Sequence, residues 1–287
     1  MKPKNLFSKI FLDSGDPQET KDTLALLGWL DGQTTNPSLF AKNPEVVAKL
    51  KAGQKFSQQE IYASYKKAIQ EISALIPAGS VSIEVYCDTN TTAEEMVKQA
   101  MEMNTWINNA HIKLPITHEG LKAAEILTIA GIRVNMTLCF SQNQGAAVYA
   151  ATKAAKKGDV FLSPFIGRLD DINEDGMNFI ENTLTMFKNG DGHAQTLAAS
   201  VRTFDHLMRC LQLQTDIITV PAKVLKLWAE KNFILPDQTY QYNSKDLKKM
   251  PYEEINLNKN WEEYNIQHQL TDQGVTKFVA DWNKLLK

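Results

Sequence analysis

The sequence of 287 residues predicts an α/β fold, namely a single (β/α)8 TIM barrel with a C-terminal helical extension. Short apolar segments typical of strands alternate with longer segments of helical periodicity, and eight such pairs follow one another. Eight consecutive strand–helix pairs favour a closed barrel over an open doubly wound sheet. The length also fits, because barrels of this kind commonly reach about 250 residues as one domain.

The strand–helix pairs are assigned in order from residue 9. The first helix is predicted to stop at Gly28, and the second carries an apolar stripe at helical spacing from Ile61 to Ile76. Pro37 interrupts the second pair after its strand. The predicted strand and helix ranges are 9–13 with 17–27, 32–36 with 58–76, 81–86 with 92–106, 111–116 with 118–130, 133–139 with 142–157, 160–165 with 176–188, 194–201 with 204–213, and 216–220 with 222–231.

The remaining residues form the predicted extension. Residues 1–235 are expected to be the catalytic barrel, and residues 236–287 a C-terminal loop and helix packed on it. The polar, tyrosine-containing stretch 236–260 indicates a loop with short structure. A final amphipathic helix is predicted over 271–286. Its apolar side consists of Val275, Phe278, Val279, Trp282 and Leu286.

Composition narrows the classes of partner and cofactor. The chain has 31 basic and 33 acidic residues and a net charge of −2. This charge balance creates no overall electrostatic field that would favour binding to nucleic acid or to an anionic membrane. No signal-peptide pattern and no apolar run of about 20 residues is seen, so a cytoplasmic enzyme is expected. The widely spaced Cys87, Cys139 and Cys210 predict reduced thiols rather than a zinc cluster. The histidines and glycines show no metal or nucleotide motif, so no metal and no cofactor are expected.

Lys113 is the most informative residue, because it lies within an apolar strand segment, His-Ile-Lys-Leu-Pro. Strand alternation directs Ile112 and Leu114 to one face and Lys113 to the other, toward the barrel interior. Similar inward polar positions recur on other strands. They are Asp13, Glu84, Asn135, Thr137 and Ser163. Because the chemistry of such barrels gathers at the carboxyl ends of the strands, these residues predict one shared site.

A lysine in that position can act as a nucleophile once burial or neighbouring cations help it to lose its proton. The neutral amine can form a Schiff base with a ketone, and the iminium then accepts electrons when the adjacent carbon–carbon bond breaks. Asp13 and Glu84 are the inward carboxylates available for the proton transfers. Further polar residues could hold substrate hydroxyls, a water and a phosphate. They are Asn36, Asn135, Thr137, Ser163, Arg168, Ser200 and Arg202.

At these residues the chain resembles transaldolase, within the superfamily of class I Schiff-base aldolases. The similarity covers about residues 10–220 and rests on motifs that occur in the family's order. These are Phe11-Leu12-Asp13, Thr34-Thr35-Asn36-Pro37-Ser38-Leu39, Ser82-Ile83-Glu84-Val85, Ile112-Lys113-Leu114-Pro115, Glu119-Gly120-Leu121, Asn135-Met136-Thr137-Leu138 and Ser163-Pro164-Phe165-Ile166-Gly167-Arg168.

The resemblance implies a barrel without metal or organic cofactor that moves a dihydroxyacetone unit from a ketose phosphate to an aldose phosphate. This reaction belongs to the pentose phosphate pathway. Lys113 would form the Schiff base, Asp13 would be the general acid and base, and Glu84 and Thr137 would hold the catalytic water. The substrate-binding residues implied are Thr34, Asn36, Asn135, Ser163, Phe165, Arg168, Ser200 and Arg202.

Two positions discriminate within this superfamily. The related fructose 6-phosphate aldolases carry tyrosine where this chain has Phe165, and glutamine where it has Glu84, so both positions resemble transaldolase. Residues 236–287 match no motif of the family. The modest length of the chain keeps a fructose 6-phosphate aldolase-like activity as an alternative. A sulfosugar transaldolase activity is also kept, because Ser163, Arg168 and Arg202 would serve any tetrahedral anion. Assembly into a homo-oligomer is left open. A non-catalytic barrel that binds a sugar phosphate ranks low, because no catalytic position is broken.

Simpler interpretations exist for single residues. Lys113 and Glu84 could form a purely structural ion pair. Arg168 could pair with Asp170 or Asp171 at the surface. The cluster Lys153, Lys156 and Lys157 is expected to be the solvated C-terminal end of a helix rather than a nucleic-acid patch.

Overall fold

A computed structural model describes residues 2–237, 239–244 and 246–287. Eight parallel strands close into a barrel in chain order, and the last strand pairs with the first. The predicted (β/α)8 barrel with a C-terminal helix is therefore confirmed. The strands are β1 (Lys9–Asp13), β2 (Gly32–Thr34), β3 (Ser80–Glu84), β4 (Ala110–Pro115), β5 (Val134–Cys139), β6 (Val160–Pro164), β7 (Ala194–Ala198) and β8 (Ile217–Val220).

Helices surround this barrel, and local sequence signals set their ends. Asp16 caps the first helix, Pro17 occupies its first turn, and Gly28 ends it at φ 79°. Ser57 and Glu60 form a capping box at the start of the longest one. The helices of the described residues are α1 (Pro17–Leu27), α2 (Pro37–Phe40), α3 (Pro44–Lys51), α4 (Gln58–Leu75), α5 (Ala93–Asn104), α6 (His118–Ile129), α7 (Gln142–Ala151), α8 (Ile166–Asp170), α9 (Gly176–Phe187), α10 (Phe204–Gln212), α11 (Ala222–Glu230) and α12 (Gln269–Asn283).

Several boundaries differ from the predicted ones. The short helices α2, α3 and α8 were not predicted, because segments of four to eight residues cannot display a clear helical period. Helix α7 ends at Ala151, six residues before the predicted end, where Thr152 begins a turn. The basic cluster at 153–157 therefore lies in a turn rather than at the end of a helix, which corrects the prediction.

The register of the sheet places the polar residues side by side. Asp13 lies opposite Thr34 on the neighbouring strand, and Lys113 lies between Glu84 on one side and Asn135 on the other. Parallel strands that start at the same end of a barrel also finish together. One end of the barrel thus collects these side chains at the carboxyl ends of β1 to β5.

The interior below this end is packed by aromatic rings. Phe11 and Phe161 meet edge to face with ring centroids 5.9 Å apart, and His111 stacks on Phe161 at 3.9 Å. His111 also contacts Ser80 Oγ at 2.7 Å and the Gly158 carbonyl at 3.2 Å. The barrel centre is therefore a filled core, and the site lies above it.

The C-terminal segment crosses the end of the barrel that carries the polar residues. Helix α12 packs against α2 and β5. Thr271 donates to the Leu138 carbonyl at 3.0 Å, Ser38 donates to the Asp281 carboxylate, and the last residues pair with Phe56. A division into residues 1–235 and 236–287 stays a prediction.

The segment that leads to α12 follows the outside of the barrel. Its contacts include a 2.9 Å hydrogen bond from Asp175 N to the Lys248 carbonyl and another from Gln142 Nε2 to the Glu253 carbonyl. Residues 238 and 245 of the predicted 236–260 loop lie outside the described residues. Within the described ranges, no helix has both the length and the apolar character needed to cross a membrane.

Candidate active site

Lys113 lies on β4 with its side chain only 3% exposed. Its Nζ is 3.0 Å from Glu84 Oε2 and donates to the backbone carbonyl of Thr35 at 3.3 Å. The alternation of the strand explains the inward direction, as predicted. A buried ammonium must be paired or functional, and here it has a carboxylate partner on the adjoining strand.

Glu84 ends β3 and is as deeply buried as its partner. Burial raises the pKa of the Glu84 carboxyl, and the Lys113 ammonium opposes that rise only in part. The backbone N–H of Glu84 donates to the hydroxyl of Tyr65 at 3.1 Å, and this hydroxyl also contacts Thr35 Oγ1 at 2.8 Å. Tyr65 of α4 therefore holds the ends of two neighbouring strands, a role that the sequence did not reveal.

Asp13 ends β1 on the other side of the site. Thr34 Oγ1 donates to Asp13 Oδ1 at 2.8 Å and contacts Thr219 Oγ1 at 2.6 Å. Burial raises the pKa of the Asp13 carboxyl, and Lys113 and Thr34 oppose this rise. Two carboxyls with raised pKa values thus flank one lysine, which is a pattern typical of acid–base sites.

Asn135 of β5 is fixed by its neighbours on both sides. It donates to Ser82 Oγ at 3.0 Å and accepts from Ser163 Oγ at 2.6 Å, so β3, β5 and β6 are linked across the barrel. Thr137 is also buried, and no described residue supplies a hydrogen-bond partner for its Oγ1. A buried hydroxyl without a protein partner can bind a substrate group or a water.

The strand that carries Thr137 is irregular beside it. The pairing of β5 with β6 shifts between Met136 and Cys139, and Leu138 adopts a φ of 63°. A left-handed conformation costs free energy for a side chain such as leucine and occurs often near functional sites. Here it lets the Leu138 carbonyl accept from Thr271 of α12.

A cavity of about 160 Å³ connects most of the predicted residues. Seven further residues, which the sequence did not indicate as site residues, also line it: Ser38, Leu39, Leu197, Ala199, Thr219, Lys277 and Phe278. Glu84 instead faces an adjacent cavity of about 10 Å³ that Phe278 also lines. The predicted residues that line the larger cavity are Asp13, Thr34, Asn36, Lys113, Ser163, Phe165, Arg168 and Ser200.

Asn36 has a second role in the local structure. Its Oδ1 accepts from the backbone N–H of Leu39 at 2.8 Å and thereby caps α2. Asn36 therefore both caps a helix and lines the cavity. Pro37 follows in the first turn of α2, which starts directly after the strand end.

Arg168 and Arg202 differ in their surroundings. The Arg168 guanidinium lies 5.1 Å from the ring centre of Phe165 and 5.4 Å from that of Phe278. Burial lowers its pKa, and within the described residues it has no carboxylate within salt-bridge distance. Arg202 instead pairs with both oxygens of Asp171, at 2.5 and 2.7 Å, in an exposed position.

Arg168 does not form the surface ion pair with Asp170 or Asp171 that was considered from the sequence. It pairs with neither proposed partner, since Asp171 binds Arg202 and Asp170 lies 2.9 Å from His206 Nε2. Arg202 does not line the cavity that holds Arg168. A partly buried guanidinium that lines a cavity and has no salt-bridge partner among the described residues suits an anion.

The chain is similar to a known family and to several curated proteins. A family model described as "Transaldolase/Fructose-6-phosphate aldolase" matches residues 10–287. The chain is 35% identical over 279 residues to a "Probable transaldolase" of Dehalococcoides mccartyi, which covers 97% of this chain and 100% of that protein. It is 38% identical to one of Cereibacter sphaeroides, with 96% of each chain covered. It is 34% identical to one of Thermoplasma volcanium, again with 96% of each covered.

Proposed function

The chain belongs to the transaldolase/fructose-6-phosphate aldolase family, and on this premise we propose that it transfers a dihydroxyacetone unit between sugar phosphates through a Schiff base on Lys113. The donor is fructose 6-phosphate or sedoheptulose 7-phosphate, and the acceptor is an aldose phosphate. The observation that supports this most directly is the 3.0 Å contact of the buried Lys113 with Glu84 beside a cavity that also contains Asp13. Such a transfer is a step of the pentose phosphate pathway.

The first chemical step requires a neutral amine. Glu84 is the carboxylate placed to take a proton from the Lys113 ammonium, and its raised pKa makes it a stronger base than an exposed glutamate. The Lys113 nitrogen then forms a bond to the ketone carbon, and the oxygen takes up the proton. Loss of this oxygen as water, with a proton supplied through Glu84 and Thr137, leaves the iminium.

The second step breaks the carbon–carbon bond. Asp13 removes the proton of the hydroxyl on the carbon that leaves, the electrons of the broken bond move into the iminium, and an aldehyde and an enamine result. The raised pKa of Asp13 suits this role, because its carboxylate is then a better proton acceptor. Addition of the acceptor aldehyde reverses these events, and water finally releases the product from Lys113.

The other cavity residues would bind and orient the sugar. Asn36, Ser163 and Thr34 line the cavity with groups that can hold hydroxyls, and Asn135 is held rigidly by its contact with Ser163. Arg168, without a carboxylate partner among the described residues, suits the phosphate. Ser200 lines the same cavity. Arg202 could join only after release from Asp171.

The presence of both Glu84 and Phe165 favours transfer over simple cleavage. With a carboxylate at Glu84 and no phenol at Phe165, the site has the residues through which the sequence resembles transaldolase rather than fructose 6-phosphate aldolase. The Phe165 ring contributes an apolar face 5.8 Å from Lys113 Nζ. An apolar wall near the enamine limits access of water, which would protonate it and release free dihydroxyacetone.

Covalent trapping tests this proposal. The protein is incubated with fructose 6-phosphate and sodium borohydride, and the adduct is located by peptide mass spectrometry. We expect a reduced adduct on Lys113, no adduct in Lys113→Met, and normal trapping in Lys122→Met, which replaces an exposed lysine of α6. A persistent adduct on another residue of Lys113→Met would contradict the assignment.

Product analysis, trapping with other sugars and calorimetry separate the remaining candidate functions. Free dihydroxyacetone formed without an acceptor would indicate an aldolase. Trapping by a sulfonated sugar but not by fructose 6-phosphate would indicate a sulfosugar transaldolase, because Arg168 could bind any tetrahedral anion. Binding of sugar phosphate in a calorimeter, with neither trapping nor turnover, would indicate a barrel that binds without catalysis.

A further inference from the structure

Helix α12 contributes two residues to the wall of the larger cavity, Lys277 and Phe278. The other cationic residues of that wall are Lys113 and Arg168. Lys113 is engaged by Glu84, so it cannot also compensate a ligand's negative charge at the opposite end. The C-terminal segment, which matched no sequence motif, thus supplies a charged side chain to the candidate active site.

Arg168 and α12 are in close contact. A Cβ placed on Gly274 of α12 would lie 2.7 Å from Arg168 Nη1, so the guanidinium approaches the backbone of the helix directly. Lys277 and Phe278 follow Gly274 by three and four residues and therefore lie on the same face of the helix. The ring of Phe278 is 5.4 Å from the Arg168 guanidinium carbon. Lys277 thus lies one helical turn from the contact with Arg168.

Lys277 pairs with Asp281, a carboxylate that also has other partners. Lys277 Nζ lies 3.1 Å from Asp281 Oδ2, in a side chain that is 61% exposed. Asp281 also accepts from Ser38 and lies 3.6 Å from Lys284 Nζ. The Asp281 carboxylate keeps these two partners when Lys277 moves, so such movement leaves no unpaired charge behind. Arg202, by contrast, is held by both oxygens of Asp171.

A phosphate monoester carries nearly two negative charges near neutral pH, because its second pKa is about 6. The Arg168 guanidinium compensates one of them. We propose that Lys277 is a specificity-determining residue that provides the second positive charge and selects substrates with an anionic group at the end remote from the ketone. This inference rests on the proposed function, because it places the anionic group of the substrate in the same cavity as Lys113.

The test compares phosphorylated and unphosphorylated ligands in Lys277→Gln. Removal of one charge-assisted hydrogen bond should raise the KM for fructose 6-phosphate about tenfold, with kcat little changed. Borohydride trapping of Lys113 by dihydroxyacetone, which carries no phosphate, should proceed as in the wild type. Lys277→Arg should retain most of the affinity, and the melting temperature verifies that each variant is folded.

Lys284→Gln is the matched control, because Lys284 also pairs with Asp281 from the same helix but does not line the cavity. It should leave the KM unchanged. Equal KM values for the wild type and Lys277→Gln would overturn the inference, as would an equal increase in Lys284→Gln.

Inorganic phosphate separates this inference from the proposed function. Its dissociation constant, measured by calorimetry on each variant, should rise about tenfold in Lys277→Gln and remain unchanged in Lys284→Gln. Weakened phosphate binding without any trapping in the wild type would support the anion site and contradict the Schiff base. Normal phosphate binding in Lys277→Gln, with normal trapping in the wild type, would contradict the anion site alone.

Discussion

Lys113 and Glu84 form an ion pair that is almost fully removed from water. Such a pair is a weak source of stability, because the desolvation of both charges offsets most of their attraction. Its presence beside a second carboxyl with a raised pKa, that of Asp13, is better explained by proton transfer. A structural ion pair and a proton-transfer pair can be distinguished by experiment. Only proton transfer requires that Glu84 can accept a proton from Lys113.

Glu84→Gln tests this difference, because glutamine keeps the shape of the side chain but cannot accept a proton from the ammonium. We expect adduct formation with dihydroxyacetone under borohydride to slow by about 10²- to 10⁴-fold, the usual contribution of a general base. Quench-flow followed by mass spectrometry gives the rate, and thermal melting verifies the fold. An unchanged rate in the folded variant would leave the pair with a structural role only.

The pH dependence of the same rate gives a second prediction. The raised pKa of Glu84 means that this carboxyl keeps its proton above its ordinary value of 4.5. As the pH falls through the raised pKa, Glu84 becomes protonated and can no longer accept the proton of Lys113, so the wild-type rate should fall. We expect this decrease to be absent from the Glu84→Gln profile. An identical decrease in both proteins would assign it to another group.

Among the secondary-structure elements of the described residues, α12 is the one outside the barrel repeat that lines the cavity. It closes one side of the cavity with Phe278 and is fixed to the barrel through Thr271 and Asp281. At Gly274, an added Cβ would come within 3 Å of the side chains of Leu138 and Arg168. Glycine weakens a helix, so its occurrence inside α12 needs such a packing reason.

Gly274→Ala should therefore affect the site more than the fold. Alanine favours the helix by about 1 kcal/mol, whereas its Cβ would lie 2.6 Å from Leu138 Cδ2 and 2.7 Å from Arg168 Nη1. Both atoms are ends of flexible side chains, and they can move. We expect a small change in melting temperature and a rise of about tenfold in the KM for fructose 6-phosphate as Arg168 is displaced. Gln273→Ala, at an exposed neighbouring position, should change neither quantity; a normal KM in Gly274→Ala would show that Arg168 tolerates the methyl group.

At the scale of the whole molecule, the barrel interior has a packed lower region, with the candidate active site above it at the carboxyl ends of the strands. His111 and Lys113 point inward from the same strand, two residues apart. Burial lowers the pKa of His111 to about 3, with Arg133 as a further cause. The folded protein therefore keeps His111 neutral in a range of pH where the unfolded chain, with an ordinary histidine pKa of 6.5, binds a proton.

This difference predicts a loss of stability in acid. Between pH 6.5 and about 3, the unfolded state binds more protons at His111, so the free energy of unfolding should fall with decreasing pH by at most about 1.4 kcal/mol per unit from this residue. The raised pKa values of Asp13 and Glu84 act in the opposite direction, because the folded state then binds the additional protons.

Urea unfolding at pH 5 and pH 7 measures the acid effect. In His111→Gln, the difference between the two pH values should shrink, although loss of the stacking on Phe161 lowers stability at both. His118→Gln, which replaces a histidine with a side chain 64% exposed, should leave the difference as it is. An undiminished difference in His111→Gln would assign the acid sensitivity to other groups.

The sequence alone determined the architecture and most of the candidate site. Alternation with a period of two directed Lys113, Glu84 and Asp13 inward, and the repeated strand–helix order implied that their strands end together. Both inferences depend only on local periodicity and on the rules of parallel sheets. Periodicity also predicted an amphipathic helix over 271–286, which the structure has at Gln269–Asn283. The family resemblance rested on sequence motifs, and the comparisons confirm it.

Only the tertiary structure decided which charges are paired and what α12 covers. Asp171 binds Arg202 rather than Arg168, and Lys277 of α12 lines a cavity whose other walls are formed largely by the barrel strands and the segments that follow them. Neither fact follows from periodicity, because a side chain's counter-ion and a helix's docking position depend on elements that are distant in sequence. The short helices α2 and α8 also place Ser38 and Arg168 at the cavity, and segments of that length carry too few residues to show a period.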